Sequence, residues 1–133
     1  MKIFEKIEGF SEKVNFVDEN DVFVGFDMTS NCCENFGYFI LDELNETLTA
    51  LEMFNYNSNI IRDEEIKDFV FDKSFFKEIN EEDELGDIID IVIFRLINDN
   101  KEKYLYLFNN HNGYYYHGFV FEDKGTELKK GIL

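Results

Sequence analysis

Three runs of β-branched and aromatic residues in the C-terminal half constrain this chain more than any other feature. They are Ile88–Ile97, Tyr104–Phe108 and Tyr114–Phe121. Between them lie Asn98-Asp99-Asn100-Lys101 and Asn109-Asn110-His111-Asn112-Gly113, both rich in turn formers. Connections this short join antiparallel neighbours, because a parallel crossover needs a dozen residues or more. The pattern predicts a three-stranded antiparallel meander over Ile88–Phe121.

The N-terminal part reads in the same way. Val14–Val17 and Val22–Phe26 are β-branched and aromatic, and Asp18-Glu19-Asn20-Asp21 between them is a polar turn, so a hairpin is expected. Met1–Phe10 is expected to pair beside it as a strand, with a short helical turn as the alternative. Cys32–Leu41 turns into a further strand. Leu41, Leu44, Leu48 and Leu51 recur at helical spacing and make the best helix candidate, although Thr47 and Thr49 leave strands as an alternative. Asn55–Asn59 reads as a loop, Phe69–Phe71 as a short strand, and Phe75-Phe76 as a core anchor. No proline, repeat or low-complexity stretch marks a linker. The fold class is therefore α+β and β-rich: one domain over residues 1–133, with antiparallel sheets and few helices.

Charge narrows the function. The chain carries 29 acidic and 13 basic side chains, a formal charge of −16, yet 44% of it is hydrophobic and it holds sixteen Phe. A disordered acidic tail would be poor in aromatics, so a folded acidic domain is expected. Phosphate neutralisation needs clustered Lys and Arg, and here they are dispersed, which disfavours direct nucleic-acid binding. Between Lys13 and Arg62 there is no basic residue, and between Lys77 and Arg95 there is none either. Such runs are usually solvated surface. Two of them in one small domain create a field of one sign that speeds encounter with a basic partner. The residues expected to meet it are Asp18, Glu19 and Asp21 in the turn, and Glu81, Glu82, Asp83, Glu84 and Asp87 before the first meander strand. Tyr114, Tyr115 and Tyr116 are ordinary strand residues on one reading and a recognition patch on the other, since tyrosine offers contact area at small entropic cost.

Other chemistry finds little footing. Asp18–Asp21 begins like a calcium loop, but Phe23 stands where that loop needs glycine. Cys32, Cys33, His111 and His117 could supply zinc ligands, but adjacent cysteines lack the spacing that lets two thiolates share one ion. The same four residues offer the only thiol–imidazole pairing for nucleophilic catalysis, and an anionic protein raises a cysteine pKa. No metal, cofactor or catalytic residue is expected. Two adjacent cysteines close no useful loop, Met1–Lys6 has no apolar run of signal-peptide length, and no segment approaches a membrane span, so a reducing cytoplasm is the expected setting.

The stretch Lys13–Asp27, followed by Cys32-Cys33-Glu34 and Gly37-Tyr38-Phe39-Ile40, resembles immunity proteins of bacterial contact-dependent growth inhibition systems. Phe71–Phe76 and Asn112-Gly113-Tyr114-Tyr115 belong to the same pattern, so the likeness spans most of the chain. It implies a cytoplasmic protein that binds the basic C-terminal toxin domain of a sibling cell's adhesin and covers its active site. Such toxins are commonly nucleases, and an EndoU-like ribonuclease is the expected kind. The resemblance brings no catalytic residues. Two alternatives stand beside it: a phage-type acidic decoy of a nucleic-acid-binding defence enzyme, and a small Cys/His metal-binding protein or enzyme.

Overall fold

The computed structural model describes residues 1–29, 35–57, 59–82, 85–113 and 116–133. In chain order its elements are β1 (Lys2–Glu8), β2 (Ser11–Val17), β3 (Val22–Asp27), β4 (Asn35–Leu41), α1 (Ala50–Asn57) and α2 (Asp63–Ile66). Then come β5 (Val70–Phe71), β6 (Lys77–Glu82), β7 (Ile88–Asn98), β8 (Lys101–His111), β9 (Gly118–Asp123) and β10 (Thr126–Ile132). All strand pairs are antiparallel and form two sheets. The first has the order β1-β2-β3-β9-β10 and the second β4-β8-β7, with β5 and β6 in tandem along the outer edge of β7.

The two central strands of the second sheet are apolar on both faces. In β7, Val92, Phe94 and Leu96 are buried on one face and Ile91 and Ile93 on the other. In β8, Leu105 and Leu107 alternate with Tyr104, Tyr106 and Phe108, all buried. Strands like these must be covered on both sides. Their inner face meets Phe16, Val24, Phe26 and Phe121 of the first sheet in one core. Within it Phe94 and Phe121 lie 5.0 Å apart at 63° and Phe71 lies 5.6 Å from Phe121, edge-to-face arrangements that aromatic quadrupoles favour. The outer face carries a second core, in which Phe39, Ile91, Tyr106 and Phe108 are covered by Leu48 and Met53. Each such ring contributes roughly 1.5–3 kcal/mol by leaving water.

The structure is β-rich with antiparallel sheets and the expected N-terminal hairpin, in which Val17 pairs with Phe23 and Val14 with Phe26. Met1–Phe10 does supply a strand, and Phe71 pairs with Leu96 as a short one. The three-stranded meander is corrected. Only β7 and β8 pair, while β9 crosses to the other sheet between β3 and β10. Both edges of β8 are taken, by β7 and β4. Moreover β9 buries Phe119 and Phe121 on one face but sets Gly118, Val120 and Glu122 on the other, which suits a sheet with one solvent face.

The helix is corrected too. Leu41 ends a strand, and α1 starts only at Ala50 because Thr49 and Glu52 form a capping box. The Thr49 hydroxyl accepts from the Glu52 amide at 3.2 Å, and the Glu52 carboxylate accepts from the Thr49 amide at 3.2 Å. The helix runs through Asn55–Asn57, which the sequence reading assigned to a loop. Asn57 then caps the edge of β4: its side-chain oxygen accepts from the Tyr38 amide at 3.2 Å and its amide donates to the Phe36 carbonyl. A Cβ on Gly37 would overlap that side chain, so a larger residue there would displace Asn57 from these two bonds.

Candidate partner-binding surfaces

The turn Asp18–Asp21 joins β2 to β3 by folding over one acidic side chain. Asp18 is 6% exposed, and one of its oxygens accepts from the Asn20 and Val22 amides at 2.9 and 3.0 Å. Its other oxygen accepts from the Phe71 amide of β5 at 2.8 Å, tying the two sheets together. Asp18 therefore builds the turn and is not offered to a partner, unlike the exposed Glu19 and Asp21. The Asp21 carbonyl accepts from Lys124 in the β9–β10 turn, so these acids sit at the end of the sandwich where Phe71 pairs with Leu96.

The second acidic stretch lies at the opposite end. Glu81 and Glu82 precede β7 but do not lie on a loop: they close the edge strand β6, paired with Ile89 and Ile88. Lys77–Glu82 contains a single apolar residue, Ile79, and so gives no strand signal; edge strands tolerate such charge because it discourages further pairing. Glu81, Glu82 and Asp87 are all exposed. From Leu96 back to Ile88 is eight residues, roughly 25 Å of strand, so the two acidic stretches form separate surfaces. Asp83, Glu84, Tyr114 and Tyr115 lie outside the described residues, as do Cys32 and Cys33.

Tyr116 shares the second end. It is 53% exposed, its ring stands edge-on to His111 at 5.6 Å, and its hydroxyl donates to the Gly113 carbonyl at 2.9 Å. Neither Tyr116 nor His117 belongs to a strand. His111 is almost fully buried. Its Nδ1 accepts from the Gly113 amide at 3.0 Å, which places the ring proton on Nε2, 2.8 Å from an Asp90 oxygen. The other Asp90 oxygen takes the Asn80 side chain. His117 donates from Nδ1 to the Asp27 carbonyl at 2.7 Å and stacks on Phe36 at 3.9 Å. Both imidazoles are thus built into the end of the core. No group of three or more His, Cys, Asp or Glu able to hold a metal occurs among the described residues.

Two surfaces had no signal in the sequence. Leu51 and Phe54, three residues apart on α1, are 70% and 56% exposed because Met53 is the face that packs inward. Between β1 and β4 runs a groove of about 550 Å³ lined by Ile3, Glu5, Met28, Tyr38 and the segment Asn59–Ile61. The Tyr38 hydroxyl is held above the usual phenol range, first by burial and then by the Glu5 and Glu12 carboxylates. Periodicity could not find this groove, because β1 and β4 are brought side by side only by the stacking of the sheets. No protein-family model, curated protein or solved structure matches the chain. Among the described residues no helix is long and apolar enough to cross a membrane.

Proposed function

We propose that this chain is an acidic inhibitor of the immunity type, which binds a basic toxin domain and covers its active site. The observation that carries the reading is the uncompensated charge: a chain of 133 residues at −16, most of whose described acids are exposed. Several of the few basic side chains are already engaged. Lys73 pairs with Asp123 at 2.9 Å, Lys103 with Asp42 at 2.6 Å, and Arg95 with Asp72 at 2.5 Å. A nuclease active site is basic because it binds phosphates, and carboxylates can occupy the positions the phosphates would take. The likeness of Lys13–Asp27 and the Cys32–Ile40 stretch to contact-dependent growth inhibition immunity proteins supports the same reading. On this reading the protein works in the cytoplasm by stoichiometric binding and turns nothing over.

The test is co-expression with basic C-terminal toxin domains of contact-dependent growth inhibition adhesins, starting with any adhesin found to be encoded beside this chain's gene. Restored growth together with a 1:1 complex that weakens between low and high salt is the expected result. Growth arrest that persists, with no complex at low salt, rejects the proposal.

A further inference from the structure

The groove between β1 and β4 is the least explained surface of the molecule. Its floor is apolar, formed by Ile3, Met28 and Ile61, and Ile60 stands beside it at 87% exposure. Glu5 and Asp63 line its rim. The register pairs Glu5 with Val14 and Ile7 with Glu12, so Glu5, Ile7 and Glu12 share the face that looks toward Tyr38. No Lys or Arg lines this part of the groove among the described residues. The lysines of the same two strands, Lys2, Lys6 and Lys13, lie on the opposite face, with Lys6 across from Lys13. A neighbouring hollow that shares Asn59, Ile60 and Ile61 is lined by Ile40, Tyr56, Glu65 and Arg62.

We infer that this groove receives a basic segment of the protein partner, with an arginine or lysine stem lying over the apolar floor and its charged head between Glu5, Glu12 and Asp63. Long basic side chains are suited to such a site, since their stems cover apolar surface while the head stays with its carboxylates. Charge complementarity selects this occupant. A second copy of the chain would bring another −16, and an anionic membrane surface would be repelled in the same way. Burial raises the Tyr38 hydroxyl most, and the smaller rise that Glu5 and Glu12 add is what carboxylates converging at one spot should produce. The inference rests on the inhibitor reading and names its receiving surface.

A probe separates the two. An alternating arginine–leucine pentapeptide carries three charges and two apolar anchors, and the arginine–glycine pentapeptide carries the charges alone. Titration of the full chain, followed by amide NMR shifts and by the ultraviolet titration of tyrosine, should place the leucine peptide on Ile3, Met28, Tyr38 and Ile60 and lower the Tyr38 pKa. Its affinity should exceed that of the glycine peptide. The pair Glu5→Gln and Glu12→Gln should weaken it about tenfold or more, whereas Asp99→Asn with Glu127→Gln, an equal loss of charge elsewhere, should change it less than about twofold. Ile60→Ser, at an exposed position that leaves the fold intact, should weaken the leucine peptide alone. Equal, scattered binding of both peptides overturns the inference, and so does a loss that follows total charge. A dimer in sedimentation that the Glu5/Glu12 pair dissolves would assign the groove to a second copy instead, also overturning it. None of these outcomes depends on co-expression with the toxin domain, so a failed groove and a failed inhibitor reading are told apart.

Discussion

The outer faces of the two sheets differ in one respect that organises the whole molecule. On the second sheet, Phe39, Ile91, Tyr106 and Phe108 face outward and are buried, because Leu48 and Met53 of the chain between β4 and β5 fold back over them. On the first sheet the row Phe4, Asn15, Gly25, Val120, Lys130 crosses all five strands, with Phe4 and Lys130 exposed at its two ends and Asn15 and Val120 half-buried between them. Lys2, Lys6, Lys13 and Lys130 all point out of this bare face. Four of the thirteen basic side chains therefore share this face. A sheet apolar on both sides recruits a cover from its own chain, whereas one with a polar side stays available to solvent.

The largest test of that difference is a pair of truncations. Phe39, 2% exposed and stacked on Tyr106 at 4.8 Å, should cost about 3–5 kcal/mol as Phe39→Ala. Phe4, 51% exposed on the other outer face, should cost about 0.5 kcal/mol or less as Phe4→Ala. Urea unfolding of both variants measures this. Comparable losses would break the comparison, by showing that something covers the first sheet in solution.

A smaller effect sharpens it where the sheets are joined. Asp18→Asn keeps the shape but turns a donor toward one of three amides, so a loss of about 2 kcal/mol is expected. Asp21→Asn, on the same turn but exposed, should stay within about 0.5 kcal/mol. If the two cost the same, the Asp18 link between the sheets contributes nothing beyond the turn.

The smallest effect belongs to the second sheet alone and depends on pH. Asp72 accepts from the Ser74 hydroxyl at 2.6 Å and from Arg95, and these partners hold its carboxyl below the usual range, Ser74 first. A carboxyl depressed in the folded state stabilises it fully above the unfolded value of about 4, and that contribution is lost as pH falls through the folded value. Asp72→Asn should therefore cost about 1 kcal/mol at neutral pH, with the difference from the parent protein closing as pH falls through the lowered folded value. Thermal unfolding across the acid range reads it. A difference that stays constant with pH would mean that packing of Arg95 on Phe75, 4.8 Å away, matters and the charge does not.

What the sequence alone determined is what depends on neighbours along the chain. The β-rich class, the Val14–Phe26 hairpin, the β7–β8 pair and the position of most strands follow from short runs and their turns, because side-chain alternation and turn chemistry are local. So does the net charge, and with it the class of partner proposed. Only the tertiary structure decided where each piece went. The third C-terminal strand left its expected neighbour because β4, whose residues lie 63 to 75 positions before their partners, had taken the edge of β8. The edge strand β6 carried no apolar pattern because a strand paired on one side needs little of one. Asp18 looked like a surface acid and is a buried link, and the Glu5–Tyr38 groove had no pattern at all. Each of these was settled by pairing between segments far apart in the chain, and the energy of such pairing resides in surfaces that exist only after the sheets have stacked.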